Sequence, residues 1–323
     1  TATMKKHLIT GITGQDGIFL TKEILSNNEN TKIIGISRNK NTESFYQNLS
    51  QLNLNNFDNI DIFNIDLNNA SSVQDFLISI KPDFIYNLAG PSSPYESIKN
   101  PEKYNQIENI FNNLVNGLIK NNNLCNFFQA SSSEMFLANN NEKLNEMSPF
   151  GPKTPYAQSK LKNHKKILEL REEYQWNIYS GIMFNHESEY RKDNYLIMKI
   201  INKANEISKK QNEKLTVGSL SYTRDWSFSG DISKAIYKIT NLGKDGSYVI
   251  GSGKGHTIEK VIALVFKIFN LEMENHIILD ESLLRKGDAE YIVSDPSKIR
   301  SELNWQTEVD FEELIFRCIE LRT

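Results

Sequence analysis

The chain has 323 residues, with 37 Lys and Arg against 40 Asp and Glu and a formal net charge of −3. That balance gives no electrostatic case for nucleic acid or an anionic membrane surface as a partner. Hydrophobic residues make up 39% of the chain and no apolar run reaches the ~18 residues of a membrane span, so a fold with a sizeable core is expected.

In chain order, Thr1-Ala2-Thr3 ahead of Met4 reads as an expression tag, with Met4 as the natural start and no signal peptide behind it. His7 to Thr10 predicts a first strand, and Gly17 to Ser26 a helix with Leu20, Ile24 and Leu25 at helical spacing. Lys32 to Ser37 and Ile60 to Asn64 follow as strands. A helix over Ser71 to Ile80 leads to a strand at Phe84 to Leu88, then a long helix at Asn105 to Lys120 and a strand at Asn126 to Ala130. A helix from Pro155 to about Glu173 takes proline in its first turn, a favoured place, and Ile178 to Phe184 is the next strand. This alternation predicts an α/β fold with a Rossmann-type doubly wound parallel sheet. Beyond it the pattern loosens into a helix at Lys192 to Lys209, a short strand at Leu215 to Val217, an amphipathic stretch at Glu259 to Phe269 and a helix-rich tail from Ser297 to Leu321. Residues 4–184 are expected to form mainly a nucleotide-binding domain. Residues 185–323 form mainly a smaller substrate lobe interleaved with late strands of the large domain. The Asn121-Asn122-Asn123 and Asn139-Asn140-Asn141 runs read as loops.

Gly11-x-x-Gly14-x-x-Gly17, with Thr13, Gln15 and Asp16 inside it, stands between a strand and a helix. In that context the glycines allow a tight turn and close approach of a pyrophosphate to the helix amino terminus. An acidic residue closing the second strand would hold a ribose 2′-hydroxyl, whereas an arginine accommodates a 2′-phosphate. Ser37-Arg38 stands there, which favours NADP and leaves NAD open. Asp66 and Leu67 are candidates to clasp the adenine, and Leu88 and Ala89 to run beside the cofactor; strand-end packing is the alternative for both pairs.

Ser131 to Glu134 falls at the carboxyl end of a strand, where open α/β sheets bind ligands. Tyr156 and Lys160, four apart, share one helix face, where the ammonium would lower the phenol pKa and make Tyr156 a general base for an alcohol. Ser132 is placed to hold the same hydroxyl. Glu134 adds a second acid/base group that plain alcohol oxidation does not need. Five histidines without ligand spacing give no metal site. Cys125 and Cys318, the only cysteines, suit a reducing cytoplasm. Arg224-Asp225-Trp226 is either a salt-bridged corner or a seat for a nucleotide diphosphate and base.

These residues, in this order, resemble the extended short-chain dehydrogenase/reductase superfamily, and within it the GDP-mannose 4,6-dehydratases. The resemblance is strongest at Thr10 to Gly17, Pro155-Tyr156-Ala157 with Lys160, Phe184-Asn185-His186-Glu187-Ser188, Arg224-Asp225-Trp226, and Asp295-Pro296 with Leu303-Asn304-Trp305. It implies a GDP-hexose substrate, either GDP-mannose or GDP-N-acetylglucosamine. Tyr156 would take the C4 hydroxyl proton while hydride leaves for the nicotinamide. Glu134 would then remove the C5 proton and assist loss of the C6 hydroxyl as water, and hydride would return to C6. Ser132 matches the family's catalytic threonine. Asn185, Arg191, Lys199, Arg224 and Arg285 match positions that hold the nucleotide and its diphosphate in the family, and Glu187 is a further substrate-binding candidate. Gly90-Pro91-Ser92-Ser93-Pro94 replaces a histidine-bearing segment near the sugar, and the room gained suits an N-acetyl group bonded by Ser92 or Ser93. A cytoplasmic homodimer or homotetramer is expected. A nucleotide-sugar epimerase or 4-reductase would need Tyr156 and Lys160 but not Glu134, and an NADP-sensing binding protein would need neither.

Overall fold

A computed structural model describes residues 3–28, 30–138 and 140–320. Thr1, Ala2, Asn139 and Leu321, which figure in the expectations above, lie outside the described residues.

Seven parallel strands form the central sheet: β1 (Lys5–Thr10), β2 (Thr31–Ile36), β3 (Ile60–Phe63), β4 (Phe84–Asn87), β5 (Asn126–Ser132), β6 (Ile178–Met183) and β7 (Ser247–Ile250). Their order is β7-β6-β5-β4-β1-β2-β3. The chain winds outward from β1 to β3, then returns to β4 on the other side, so the direction of winding reverses between β1 and β4. A crevice opens at that point, at the carboxyl ends of both strands.

Helices cover both faces because successive side chains of a strand point to opposite sides. Ile9, Tyr86 and Phe128 face a cluster shared with α1 (Gln15–Asn27) and with α8 (Ser229–Leu242), through Leu20 and Ile236. Their neighbours Leu8, Ile85 and Phe127 face the other cluster, shared with α3 (Ala70–Ile80), α5 (Asn105–Lys120) and α6 (Pro155–Tyr174). Phe127 and Phe128 are both fully buried, each worth about 1.5–3 kcal/mol of apolar transfer. A third cluster joins α7 (Leu196–Lys209) and α9 (Ile258–Ile268) to the helix Phe311–Glu320, with Trp226 inside it.

Four differences from the sequence expectation stand out. β5 runs two residues further, to Ser132, before a 3-10 turn at Ser133–Met135, so Ser131 and Ser132 are strand residues. The backbone ladder with β6 runs on to Ser132, opposite Met183, and Ser131 Oγ lies 2.6 Å from Ser180 Oγ across it. The Gly90 to Pro94 segment runs straight into a helix: Pro94 opens α4 (Pro94–Lys99) and Ser93 caps it by accepting from the Glu96 amide at 3.2 Å. The tail splits into Ser297–Leu303 and Phe311–Glu320, the first ended by Asn304 in the left-handed region at φ 50°. The helix expected from Lys192 begins at Leu196.

Two small sheets roof the carboxyl ends of the strands. Thr223–Arg224 pairs with His256–Thr257 and Tyr291–Ile292, and Ser227–Phe228 pairs with His186–Glu187. No helix among the described residues is long and apolar enough to cross a membrane.

Candidate active site

The glycine turn is built for close approach. Gly11 sits at φ +66°, and a Cβ there would lie 3.1 Å from the backbone N and Cα of Ala89. Thr10 Oγ1 donates to Asn87 Oδ1 at 2.7 Å and accepts the Leu88 and Ala89 amides at 3.0 Å each, which locks the ends of β1 and β4 together. A Cβ on Gly17 would stand 2.2 Å from the Ile12 carbonyl, so α1 starts hard against the turn. Gly14, its N-cap, offers no side-chain cap, and the first-turn amides of α1 remain for an anion. A dinucleotide pyrophosphate fits this cradle. At the end of β2, Thr13 Oγ1 lies 3.1 Å from Ser37 Oγ, and Asn64 donates to the Ser37 and Arg38 carbonyls at 3.0 Å. Arg38 is exposed, as is Asp66, whereas Leu67 is buried in the core and its carbonyl accepts from Asn113.

Gln15 and Asp16 are engaged elsewhere. Gln15 donates to the His186 carbonyl at 3.3 Å and accepts from Ser188 Oγ at 2.6 Å. Asp16 Oδ2 is 2.8 Å from His186 Nε2, whose Nδ1 is 2.8 Å from the Phe184 carbonyl. With an oxygen acceptor at each ring nitrogen, His186 needs both protons. Burial opposes that charge, but the Asp16 carboxylate and its hydrogen bond outweigh burial and raise the His186 pKa. The first turn of α1 thus clamps the segment after β6, and this pairing is invisible in the local sequence.

Thr154 caps α6 by accepting from the Ala157 amide at 3.1 Å, Pro155 enters the first turn, and the Tyr156 amide donates to Ser97 Oγ of α4 at 3.2 Å. Tyr156 and Lys160 are both buried, with Lys160 Nζ 5.6 Å from the Tyr156 ring centre. The Tyr156 hydroxyl faces the Ser132 side chain, which favours its phenolate, and Ser132 Oγ accepts the Glu134 amide at 3.1 Å. The expected depression of the phenol pKa is not produced by these side chains alone. Burial raises it, against the effect of Ser132, and Lys160 is itself lowered to about 8 by burial. Lys160 Nζ donates to the Ala130 carbonyl at 2.8 Å, which aims the ammonium at the end of β5.

Glu134 lies across from a charged cluster. Its Oε1 is 3.7 Å from Arg285 Nη2, which is 3.1 Å from Asp288 Oδ1; Arg224 Nη2 is 3.4 Å from the same oxygen. Burial pushes the Glu134 pKa up and Arg285 opposes it. Asp288 belongs to this site although no sequence motif singled it out; its spacing of three from Arg285 is the one available signal. Asp225 does not face the site: its buried carboxylate takes the Ser252, Gly253 and Ser294 amides at 3.0–3.1 Å.

Of the remaining candidates, Glu187 is buried and bridges to Arg191 Nε at 3.2 Å, and the Arg191 guanidinium stacks 3.4 Å over the Tyr195 ring. Tyr195 in turn meets Ser92 Oγ at 2.6 Å. Asn185 accepts the Ser227 amide through its carbonyl at 2.9 Å. Lys199 is exposed on the first turn of α7. Ser132, Glu134, Tyr156, Arg224 and Arg285 therefore converge, joined through Arg285 and Asp288, while Arg38 and Asp66 mark the outer end of the crevice.

The sequence profile of the family described as GDP-mannose 4,6 dehydratase matches residues 8–318. The Arabidopsis thaliana protein GDP-mannose 4,6 dehydratase 2 is 32% identical over 322 residues, spanning 98% of this chain and 86% of that protein. Among solved structures, dTDP-glucose 4,6-dehydratase of Bacillus anthracis in complex with NAD superposes with a TM-score of 0.82 at 19% identity, covering 98% of this chain and 96% of that one. A Pseudomonas aeruginosa protein called RMD, complexed with NADPH, superposes at 0.81 and 20% identity, covering 99% and 100%. The two structural likenesses speak for the fold.

Proposed function

Because this chain belongs to the GDP-mannose 4,6 dehydratase family, we propose that it converts a GDP-hexose, with GDP-mannose the foremost candidate, to the GDP-4-keto-6-deoxy sugar and water, using NADP. The observation that carries this reading is Glu134, a half-buried carboxyl with a raised pKa, placed two residues beyond the serine that faces Tyr156. An oxidation or epimerisation at C4 alone has no use for it.

When bound, a nicotinamide supplies the uptake of hydrogen from C4 and its return at C6, and in its oxidised form a positive charge that favours the Tyr156 phenolate. The Gly11–Gly17 turn and the α1 amides would hold its pyrophosphate, and Arg38 its 2′-phosphate. Tyr156 takes the C4 hydroxyl proton, with Ser132 sharing the hydrogen bond and Lys160 supplying a nearby positive charge. The resulting ketone acidifies the C5 proton. Glu134 accepts that proton and passes it to the departing C6 hydroxyl, so one carboxyl serves both halves of the elimination and water leaves. Arg224 and Arg285 provide the charge that suits a diphosphate. Both serines once considered for an N-acetyl group have partners already, Ser93 as the α4 cap and Ser92 on Tyr195. The named relative and the family description both concern GDP-mannose, and mannose is preferred over N-acetylglucosamine on these grounds.

Incubation with GDP-mannose, GDP-N-acetylglucosamine and the matching UDP- and dTDP-sugars, with mass detection, tests the reading. The expected product is lighter than GDP-mannose by one water. A product of unchanged mass would mean an epimerase instead. Glu134→Gln is expected to abolish water loss while keeping exchange of hydrogen at C4, and wild-type water loss in that variant would remove Glu134 from the mechanism.

A further inference from the structure

Two guanidiniums and two carboxylates meet at the mouth of the site. Asp288 Oδ1 is 3.1 Å from Arg285 Nη2, 3.4 Å from Arg224 Nη2 and accepts the Ala289 amide at 3.1 Å. The same Arg285 nitrogen is 3.7 Å from Glu134 Oε1. Asp288 therefore has the closer hold on the cation that Glu134 also faces. Side-chain exposures of 12% for Arg224, 18% for Asp288, 22% for Arg285 and 26% for Glu134 place the four in a partly dehydrated setting. There, charge–charge effects exceed those at an open surface.

We propose that Asp288 is a positioning residue that holds Arg224 and Arg285 off Glu134 and so keeps Glu134 an effective proton acceptor. The proposal rests on the dehydratase reading above. Without Asp288, Glu134 is the one carboxylate of the cluster facing both guanidiniums. It would then be held in its ionised form, and an over-stabilised carboxylate is a weak base. The groups that face Glu134 are Arg285 and Asp288 from the segment after Leu283, Arg224 from the roof strand and Tyr156 from α6; Lys153 and Lys286 line the same pocket. Asp288 is the carboxylate among these, and its charge acts on Glu134 in the sense opposite to both arginines.

The sign follows from the chemistry. Glu134 must be ionised to take the C5 proton, so turnover falls as pH drops through its pKa. Asp288→Asn removes a negative charge from beside it and should move the acid limb of the kcat profile down by about one pH unit. Asp288→Glu should restore the limb to its original place. A residue that only shaped the loop would change kcat or KM and leave the limb where it was, and that result overturns the proposal. Asp288→Ser removes the same charge in a smaller side chain and serves if the asparagine variant does not fold. Carboxyl ¹³C NMR of glutamate-labelled protein, assigned with Glu134→Gln, reads the same shift without turnover. If the wild type yields no dehydrated product, the dehydratase reading fails on its own, and an unmoved Glu134 titration still overturns the role of Asp288.

Discussion

Replacing Asp225 tests whether the roof of the site is held by one buried carboxylate. Asp225 is 1% exposed; Oδ1 accepts the Ser252 amide at 3.0 Å, and Oδ2 accepts the Gly253 amide at 3.0 Å and the Ser294 amide at 3.1 Å. The Ser252 and Ser294 hydroxyls also donate to it. The hydroxyls can turn to other acceptors, and the Gly253 amide keeps Ser294 Oγ at 3.0 Å, but the Ser252 and Ser294 amides have no second acceptor among the described residues, and each left unpaired costs about 1–1.5 kcal/mol. Asp225→Ala should therefore lose about 2.5 kcal/mol. At about 2 cal/mol/K per residue, a chain of this length has an unfolding entropy near 0.7 kcal/mol/K, so Tm should fall by about 4 °C. Asp225→Asn should lose about half as much, because its amide can replace Oδ1 and leave one backbone donor, Ser252 N, unpaired. Differential scanning calorimetry measures both. A fall below about 1 °C for the alanine variant would refute the account of two orphaned donors. Arg224 is the next residue in the chain, so KM for the GDP-sugar should rise in the same variants.

Tyr156→Phe removes one hydroxyl and should lower turnover by at least about a hundredfold while GDP binding by calorimetry stays intact; turnover within tenfold of wild type would deny the phenol its role. Arg38→Ala should weaken NADP about tenfold and leave NAD unchanged, since a charge-assisted contact to the 2′-phosphate exists for one cofactor alone. Equal losses for both would show that Arg38 does not read that phosphate. Lys160 keeps its proton up to about pH 10.5 when unfolded but releases it near 8 when folded, so the unfolded chain binds more protons between those values. Stability should rise with pH across that window, by up to about 3 kcal/mol, and Lys160→Met should flatten the rise in urea titrations. A variant with the wild-type slope would mean that another group drives it.

Much of this site is local in origin and legible in the chain itself. A glycine turn between a strand and a helix, proline in the first turn of α6 and Tyr156 four residues before Lys160 are short-range patterns, and each sits in the structure on the element that its spacing predicts. Strands β1, β2 and β4 could be read because each carries a run of buried apolar residues, as parallel strands covered on both faces require, whereas β3 is an edge strand with Asp61 and Phe63 exposed and was legible from its place between turns. α8 is absent from the expected elements although it was legible too, since Ile232, Ala235, Ile236 and Ile239 repeat at helical spacing with Lys234 and Lys238 on the opposite face; β7 is a four-residue strand, too short for periodicity to speak. The remaining facts are matters of partnership at long range. Asp16 lies beside the glycine turn in sequence, yet its side chain is spent on His186, 170 residues away. Ser92 and Ser93 looked free for a sugar, but one meets Tyr195 and the other caps a helix. Asp288 carries no motif and gains its place when the roof strand at Thr223–Arg224 brings Arg224 to the oxygen that Arg285 already holds. Spacing along one element sets which side chains share a face, whereas the neighbours that set a buried charge come from other elements and exist only once the sheet and its roof have closed.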